Sequence, residues 1–317
     1  MTPIDKTAKV FVAGHRGLAG SALVRALERH GYGNVVVRSR NDVDLLDRGT
    51  TRAFFETERP AYVYLAAAKV GGIKANDTYP VEFLAENLTI QQNVIQAAHD
   101  YGVTKLMFLA SSCIYPRLAP QPMREDALLT GPLEPTNEAY AIAKIAGIKM
   151  CQAYARQYGD RFVSVIPCNL YGPGDNYDLT RSHVLPALIR RFHEAKRDGL
   201  ASVALWGTGK ARREFLHSDD LAEACVLLME QYESADTINI GSGDDIAIAD
   251  LGKLAANAVG YTGAIGFNSA VADGMPQKLL DITKLTSMGW KPAISLTQGI
   301  DSVYEEYKSR PEATISR

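Results

Sequence analysis

Long apolar runs are missing from this sequence of 317 residues. No stretch approaches the roughly 18 apolar residues that a membrane-spanning helix requires. Before Val10 the chain carries Asp5, Lys6 and Lys9, and the apolar run that follows has only four residues, too few for the hydrophobic region of a signal peptide. These absences predict a protein that has no membrane partner and works in the cytoplasm.

The chain also has a small net charge and no closely spaced pair of cysteines. The 34 lysines and arginines nearly balance the 36 acidic residues, so no overall basic field exists to hold nucleic acid, and an anionic ligand must be bound by a local cluster. The four cysteines, Cys113, Cys151, Cys168 and Cys225, are widely spaced and form no CxxC pair. This spacing predicts neither a disulfide framework nor a metal site.

Short apolar runs and amphipathic stretches alternate along the first half of the chain. Runs at residues 10–13, 35–37, 62–68, 105–110 and 162–167 have the length and composition of buried strands. Residues 18–30, 81–101 and 138–158 have the spacing of helices. Because buried strands that alternate with helices form parallel sheets, the chain is predicted to be an α/β protein with a Rossmann-like doubly wound parallel sheet.

The alternation becomes irregular after residue 171. Helical patterns at 184–197, 219–230, 249–259, 282–288 and 296–308 are mixed with short strands at 203–206 and 237–240. This order predicts a smaller, interleaved C-terminal α/β domain that binds the substrate. The expected division is residues 1–170 with about 214–240 in the sheet domain, and about 171–213 with 241–317 in the substrate domain.

A glycine-rich turn joins the first predicted strand to the first helix. Its residues are Gly14-His15-Arg16-Gly17-Leu18-Ala19-Gly20. Glycines allow a tight turn and let the backbone approach a pyrophosphate, which the helix N-terminus attracts. The GxxGxxG spacing is one residue longer than the commonest fingerprint, yet the strand before and the helix after predict a dinucleotide site in the sheet domain.

The second strand is followed by arginines instead of an acid. The segment reads Arg38-Ser39-Arg40-Asn41, where a carboxylate would hydrogen-bond the free ribose hydroxyl of NAD. Together with Arg16, these guanidinium groups could surround a 2′-phosphate, which favours NADP(H) as the cofactor. The ordinary alternative is that the arginines are solvated surface charges.

Tyr140 and Lys144 stand four residues apart in a predicted helix and so on one face. An ammonium beside a phenol favours the phenolate, which would let the tyrosine exchange a proton with a carbonyl or alcohol oxygen. Ser111 follows the fourth strand, at the edge where doubly wound sheets bind ligands, and could hold the same oxygen. A core tyrosine beside a solvated lysine is the alternative.

Together these residues resemble the extended short-chain dehydrogenase/reductase family. More closely, five segments resemble the GDP-L-fucose synthases: 14–17 (GHRG), 66–72 (AAAKVGG), 111–116 (SSCIYP), 134–137 (EPTN) and 169–173 (NLYGP). The resemblance spans almost the whole chain. It implies NADP(H), a homodimer, a GDP-sugar substrate, and conversion of GDP-4-dehydro-6-deoxy-D-mannose to GDP-L-fucose by epimerisation at carbons 3 and 5 and reduction at carbon 4.

The same resemblance implies roles for single residues. Cys113 would be the base of the epimerisation and His183 the acid, whereas Tyr140 would donate the proton at carbon 4 with help from Ser111 and Lys144. If the fourth strand stays extended, Ser111 and Cys113 point to the same side. Without the resemblance, a buried cysteine and a helix-capping histidine would be the ordinary interpretations.

Further contacts are predicted at both ends of the ligand. The cofactor set comprises the glycine turn from Gly14 to Gly20, Arg40, Leu45, Leu109, Ala110, Ser112, Lys144, Pro167, Asn169, Leu170 and His183. The substrate set comprises Arg191, Trp206, Arg213, Asp273 and Lys278, because guanidinium groups match phosphate oxygens and an indole offers an apolar plate.

Other functions stay open from the sequence. A nucleotide-sugar 4-epimerase or 4,6-dehydratase would recycle its cofactor, and a simple 4-reductase would consume NADPH without inverting carbons 3 and 5. A non-catalytic dinucleotide sensor would use the fold as a binding module. A sensor needs no proton-transfer chain, so the joint presence of Ser111, Tyr140 and Lys144 argues against it.

Overall fold

The computed structural model describes residues 4–179, 181–270 and 274–310. The strands are β1 (Val10–Ala13), β2 (Val35–Val36), β3 (Tyr62–Leu65), β4 (Lys105–Leu109), β5 (Phe162–Pro167), β6 (Asn169–Tyr171), β7 (Ser202–Trp206), β8 (Arg212–His217), β9 (Ile238–Ile240), β10 (Asp245–Ala247), β11 (Ala264–Asn268) and β12 (Gln277–Lys278). The helices are α1 (Leu18–Arg29), α2 (Arg48–Glu58), α3 (Ile73–Thr78), α4 (Pro80–Asp100), α5 (Glu138–Tyr158), α6 (Val184–Arg197), α7 (Ser218–Gln231), α8 (Ile248–Val259), α9 (Thr283–Ser287) and α10 (Leu296–Ser309).

The main sheet has six parallel strands in the order β2-β1-β3-β4-β5-β9. Strands β1, β3, β4 and β5 are buried along their whole length, as expected for parallel strands that helices cover on both faces. The order reverses at β1 and β3, which form the switch point where doubly wound sheets bind ligands. The predicted Rossmann-like fold is confirmed, although the strands predicted at 62–68 and 105–110 end earlier, at Leu65 and Leu109.

Two helices between β2 and β4 escaped prediction, α2 and the short α3. Helix α2 has few apolar residues, but Asp47 accepts a hydrogen bond from the Thr50 N–H at its N-terminus and so satisfies one unpaired donor. Its Phe54 and Phe55 pack on Phe11 of β1, with centroid distances of 4.5 and 5.9 Å. The helix is therefore fixed by a cap and by aromatic packing instead of a long apolar stripe.

Two smaller sheets lie in the C-terminal half. Strand β8 pairs in parallel with β6 and β12 and antiparallel with β10, while β7 and β11 form a separate parallel pair. No strand was predicted between 206 and 237, because charged and apolar residues are mixed at Arg212–His217. In the structure this segment is β8, the strand that joins the C-terminal elements.

Apolar side chains form two clusters. The larger one surrounds the main sheet, and the smaller one joins α6, α8 and α10. Along the described residues the chain passes from one cluster to the other five times, and residues 275–290 return to the larger cluster through Met275, Leu280, Leu285 and Trp290. The exact domain division stays a prediction.

The four cysteines are free and buried, and each lies in or beside the larger cluster or the cavity described below. Among the described residues, no helix has both the length and the apolar character required to cross a bilayer.

Candidate active site

A cavity of about 820 Å³ opens at the carboxyl ends of the main-sheet strands. Every residue predicted to contact the cofactor lines it, and so do the predicted catalytic residues Ser111, Cys113, Tyr140, Lys144 and His183. Residues far apart in the sequence thus meet at one site. Their individual roles stay predictions.

The glycine turn forms the floor of one end of the cavity. Gly14 has φ of +87°, and a Cβ at Gly20 would lie 2.1 Å from the Gly14 carbonyl oxygen, so neither position accepts a side chain without a backbone shift. Gly17 is the N-cap residue of α1, and none of the described side chains caps that helix. Free N–H groups, the helix dipole and close backbone approach fit the pyrophosphate of a dinucleotide.

Arginines flank the turn, but they are not equivalent. Arg38 forms an ion pair with Glu58, and its guanidinium lies 5.9 Å from the Phe54 ring centroid. Arg40 is largely exposed and lies 3.6 Å from an Asp44 oxygen, a weak surface pair. Arg16 is exposed as well. Arg16 and Arg40 are therefore better placed than Arg38 to bind a phosphate.

Tyr140 and Lys144 lie one turn apart on α5. The Lys144 ammonium donates to the Leu109 carbonyl at 2.8 Å and lies 4.8 Å from the Phe108 ring centroid. Its distance to the Tyr140 ring centroid is 5.8 Å. The end of β4 and the helix therefore hold the lysine from two sides.

The predicted lowering of the pKa of Tyr140 by Lys144 was wrong for this structure. Burial raises the pKa of Tyr140 far above its usual value, Cys113 raises it further, and the Ser111 hydroxyl opposes them. Burial also lowers the pKa of Lys144 to about 8. The loss of hydration therefore dominates the pKa of both groups.

Cys113 reaches the cavity by a route that the sequence did not predict. Strand β4 ends at Leu109, and a turn of 3₁₀ helix spans Ser112–Ile114. Ser111 caps this turn, and its hydroxyl accepts a hydrogen bond from the Cys113 N–H at 3.5 Å. The strand therefore does not stay extended as expected, and the turn instead brings both side chains to the cavity.

The electrostatics around Cys113 and His183 favour their neutral forms. Burial raises the pKa of the Cys113 thiol, and Lys278 is the strongest group opposing that shift. Burial and Lys278 both lower the pKa of His183. Lys278 therefore acts on both groups of the predicted epimerisation pair.

The predicted substrate residues divide into three groups. Arg213 and Lys278 line the cavity. Arg191 and Trp206 contact each other, with 4.8 Å between the guanidinium carbon and the indole ring, but they are not among the lining residues. Asp273 lies outside the described residues.

Several polar residues of the site were not predicted. Asn76 Oδ1, Asn137 Oδ1, Asp175 Oδ2 and Ser182 Oγ are buried, lack a hydrogen-bond partner among the described residues, and belong to residues that line the cavity. Unpaired buried acceptors and hydroxyls suit a ligand rich in hydroxyl groups. Asn137 lies in one of the segments that carry the resemblance, three residues before Tyr140, which was the available signal.

Known proteins share this sequence and architecture. The model of the NAD dependent epimerase/dehydratase family matches residues 10–241. The GDP-L-fucose synthase 1 of Arabidopsis thaliana is 55% identical to this chain over 303 residues, which cover 96% of this chain and 94% of that protein. The similarity therefore extends through both apolar clusters.

Solved structures agree with this relationship. A GDP-L-fucose synthetase from Naegleria fowleri bound to NADP has a TM-score of 0.90 at 28% identity, covering 99% of this chain and 98% of that one. A GDP-6-OMe-4-keto-L-xylo-heptose reductase from C. jejuni has a TM-score of 0.91 at 36% identity, covering 98% and 100%. One architecture thus occurs with differently named GDP-sugar enzymes.

Proposed function

This chain belongs to the NAD dependent epimerase/dehydratase family, among the GDP-L-fucose synthases, and on that premise we propose that it converts GDP-4-dehydro-6-deoxy-D-mannose to GDP-L-fucose. The enzyme is an NADP-dependent oxidoreductase with epimerase activity. The proposed reaction has two stages, inversion at carbons 3 and 5 and then reduction at carbon 4. The observation that carries it is the presence of Cys113 and His183 in the same cavity as Ser111, Tyr140 and Lys144.

The cofactor is NADP(H), and NADPH, when bound, supplies the hydride for carbon 4. The glycine turn from Gly14 to Gly20 holds the pyrophosphate through backbone N–H groups. Arg16 and Arg40 hold the 2′-phosphate, which they reach without breaking a buried ion pair.

The inversion stage needs a base, an acid and a stabilised enolate. The ketone at carbon 4 acidifies carbons 3 and 5, and Cys113 removes these protons after it has become a thiolate, which Lys278 and Lys144 favour. His183 returns a proton to the opposite face. Burial and Lys278 lower the pKa of the imidazole, whereas the negative charge of a bound diphosphate raises it, so that His183 can take up from solvent the proton that it gives to carbon.

The reduction stage uses a different set of groups. The phenol of Tyr140 stays protonated at neutral pH, because burial raises its pKa. It can therefore donate a hydrogen bond to the carbon 4 oxygen, and it gives up its proton when that oxygen becomes an alkoxide. Ser111 holds the same oxygen, and Lys144 stabilises the tyrosinate that forms.

An isotope experiment tests the two stages separately. Wild-type enzyme and Cys113→Ser are incubated with the substrate in deuterated water, with and without NADPH, and deuterium at carbons 3 and 5 is followed together with NADPH oxidation. We expect exchange without NADPH in the wild type and its loss in Cys113→Ser. Cys168→Ser is the matched control, because Cys168 also lines the cavity and has no proposed role.

A simple GDP-sugar 4-reductase is the second candidate, and the likeness to a heptose reductase favours it. It would oxidise NADPH but incorporate no deuterium at carbons 3 and 5. NADPH oxidation without exchange in the wild type would therefore establish this candidate and exclude the epimerase. If the wild type showed no exchange and no NADPH oxidation, the proposed substrate would be wrong.

We also propose a homodimer formed through α4 and α5. Val81 on α4 and Ile142 on α5 are 71% and 44% exposed, and a second copy of the chain would remove these apolar side chains from water. Light scattering should give twice the chain mass of 34.5 kDa, and Val81→Lys with Ile142→Lys should give the monomer. The cytoplasmic location stays a prediction.

A further inference from the structure

Two loops meet across the cavity next to His183. The first loop is the segment 66–72, which follows β3. The second loop is the segment 181–183, which leads into α6. The Gly72 N–H donates to the Arg181 carbonyl at 3.0 Å, which joins the two loops directly. Both Gly72 and Ser182 line the cavity.

The contact requires glycine at position 72. A Cβ there would lie 2.7 Å from the Ser182 carbonyl oxygen, closer than real Cβ atoms approach, and that oxygen is part of the backbone and cannot rotate away. The φ of Gly72 is −67°, an ordinary value, so close approach alone explains the requirement. His183 follows Ser182 directly and is the N-cap residue of α6, which begins at Val184.

Asn76 anchors the first loop through hydrogen bonds to its backbone. It is 6% exposed, and its side-chain amide donates to the Gly71 carbonyl at 2.8 Å and to the Gly72 carbonyl at 3.1 Å. The same loop approaches α4, because a Cβ at Gly71 would lie 3.1 Å from the Phe83 ring. The chain of contacts therefore runs from the buried Asn76 through Gly72 to the residue before His183.

We propose that Gly72 is a positioning residue for His183, which it holds through the hydrogen bond to Arg181 and the close contact with Ser182. The inference rests on the proposed role of His183 as the acid of the epimerisation. Proton return to carbon requires the imidazole to stand within a fraction of an ångström of its working position, because misplacement by about 1 Å costs on the order of 100-fold in rate. Asn76 is the second positioning residue, because it fixes the loop that carries Gly72.

The test uses the full-length enzyme and the variants Gly72→Ala, Asn76→Ala and Gly266→Ala. Gly266 is the matched control, since it lies on β11 and a Cβ there has no atom within 4 Å. To relieve the contact of 2.7 Å, the second loop must move by about 0.7 Å. We therefore expect exchange at carbons 3 and 5 to slow by about 10- to 100-fold in Gly72→Ala, with NADPH affinity within about twofold of wild type.

Products made with NADPH provide a readout that general destabilisation would not change. If epimerisation is slowed selectively, Gly72→Ala should release a larger fraction of a carbon 4 alcohol in which carbon 3 or carbon 5 is not inverted. Gly266→Ala should keep the wild-type product. Asn76→Ala should change the product in the same direction as Gly72→Ala. Because Asn76→Ala adds no atoms and creates no clash, it tests the positioning role even if Gly72→Ala does not fold.

The outcomes distinguish a failure of the positioning role from a failure of the proposed function. No exchange in the wild type would overturn both. Exchange in the wild type that persists at the same rate in Gly72→Ala and Asn76→Ala would overturn only the positioning role. Equal losses of exchange, carbon 4 reduction and NADPH affinity would also overturn it, because they would indicate general disruption of the cavity.

Discussion

The buried carboxyl of Glu214 gives a stability prediction that can be worked out from the structure. Glu214 lies on β8 with 1% of its surface exposed. It accepts hydrogen bonds from the Gly243 N–H at 2.8 Å and the Leu280 N–H at 2.9 Å. Burial nevertheless dominates and raises its pKa from 4.5 to about 7.

The sign and size of the effect follow from proton linkage. Between pH 4.5 and 7 the folded protein keeps a proton on Glu214 that the unfolded chain has lost, so the free energy of unfolding falls as the pH rises. At about 1.4 kcal/mol for each pH unit, the loss is about 3 kcal/mol across this range. Glu214→Gln cannot titrate and should not show this loss, whatever its own stability.

The assay is the melting temperature of wild type and Glu214→Gln between pH 5 and pH 8. We expect the wild type to lose several degrees relative to the variant as the pH rises. Glu233→Gln is the control, because Arg161 holds the pKa of Glu233 below its usual value and that group does not titrate in this range. Melting temperatures of wild type and Glu214→Gln that change in parallel would refute the reasoning and show that the backbone donors keep Glu214 ionised.

Three further predictions concern the cofactor, the proton donor and the packing of α5. Replacing Arg16 and Arg40 together by Ala should weaken NADPH binding by about 10- to 100-fold with little effect on NADH, measured by fluorescence titration, and equal losses would contradict a 2′-phosphate site. Because burial lowers the pKa of Lys144 to about 8, kcat/KM for carbon 4 reduction should fall as the pH rises through about 8, and Lys144→Met should lack this limb. Gly147→Ala should cost about 1–3 kcal/mol in denaturant unfolding, since its Cβ would lie 2.4 Å from Phe108, and an unchanged midpoint would refute this packing.

Periodicity predicted the main sheet because parallel strands and their helices carry their pattern in consecutive residues. Strand β5 and helix α5, for example, begin and end where the sequence predicts. Periodicity did not predict β8, whose charged and apolar residues face different neighbours that no local pattern reveals. It also failed at Ser111, where a side-chain cap turns the chain out of the strand.

The candidate site was predictable where chemistry is concentrated in reactive residue types. Tyr140 and Lys144 could be named from the sequence because a phenol and an amine one helical turn apart, at the edge of a sheet, suggest proton transfer, whereas Cys113 could be named only through the resemblance to the GDP-L-fucose synthases. Asn76 and Ser182 carry no such signal, since an amide or a hydroxyl becomes informative only when it is buried without a partner. The direction of the Tyr140 pKa also required the structure, because it depends on how much water is excluded.

The repeated passage of the chain between its two apolar clusters has a mechanical consequence. Two lobes that share a single linker can swing apart like a hinge, but here the described residues of the two clusters alternate along the chain, which passes between the clusters five times. Moving the two clusters apart would strain all five passages at once. We therefore expect ligands to enter and leave by displacement of single loops, and we expect neither lobe to be separable from the other by one cut in the chain.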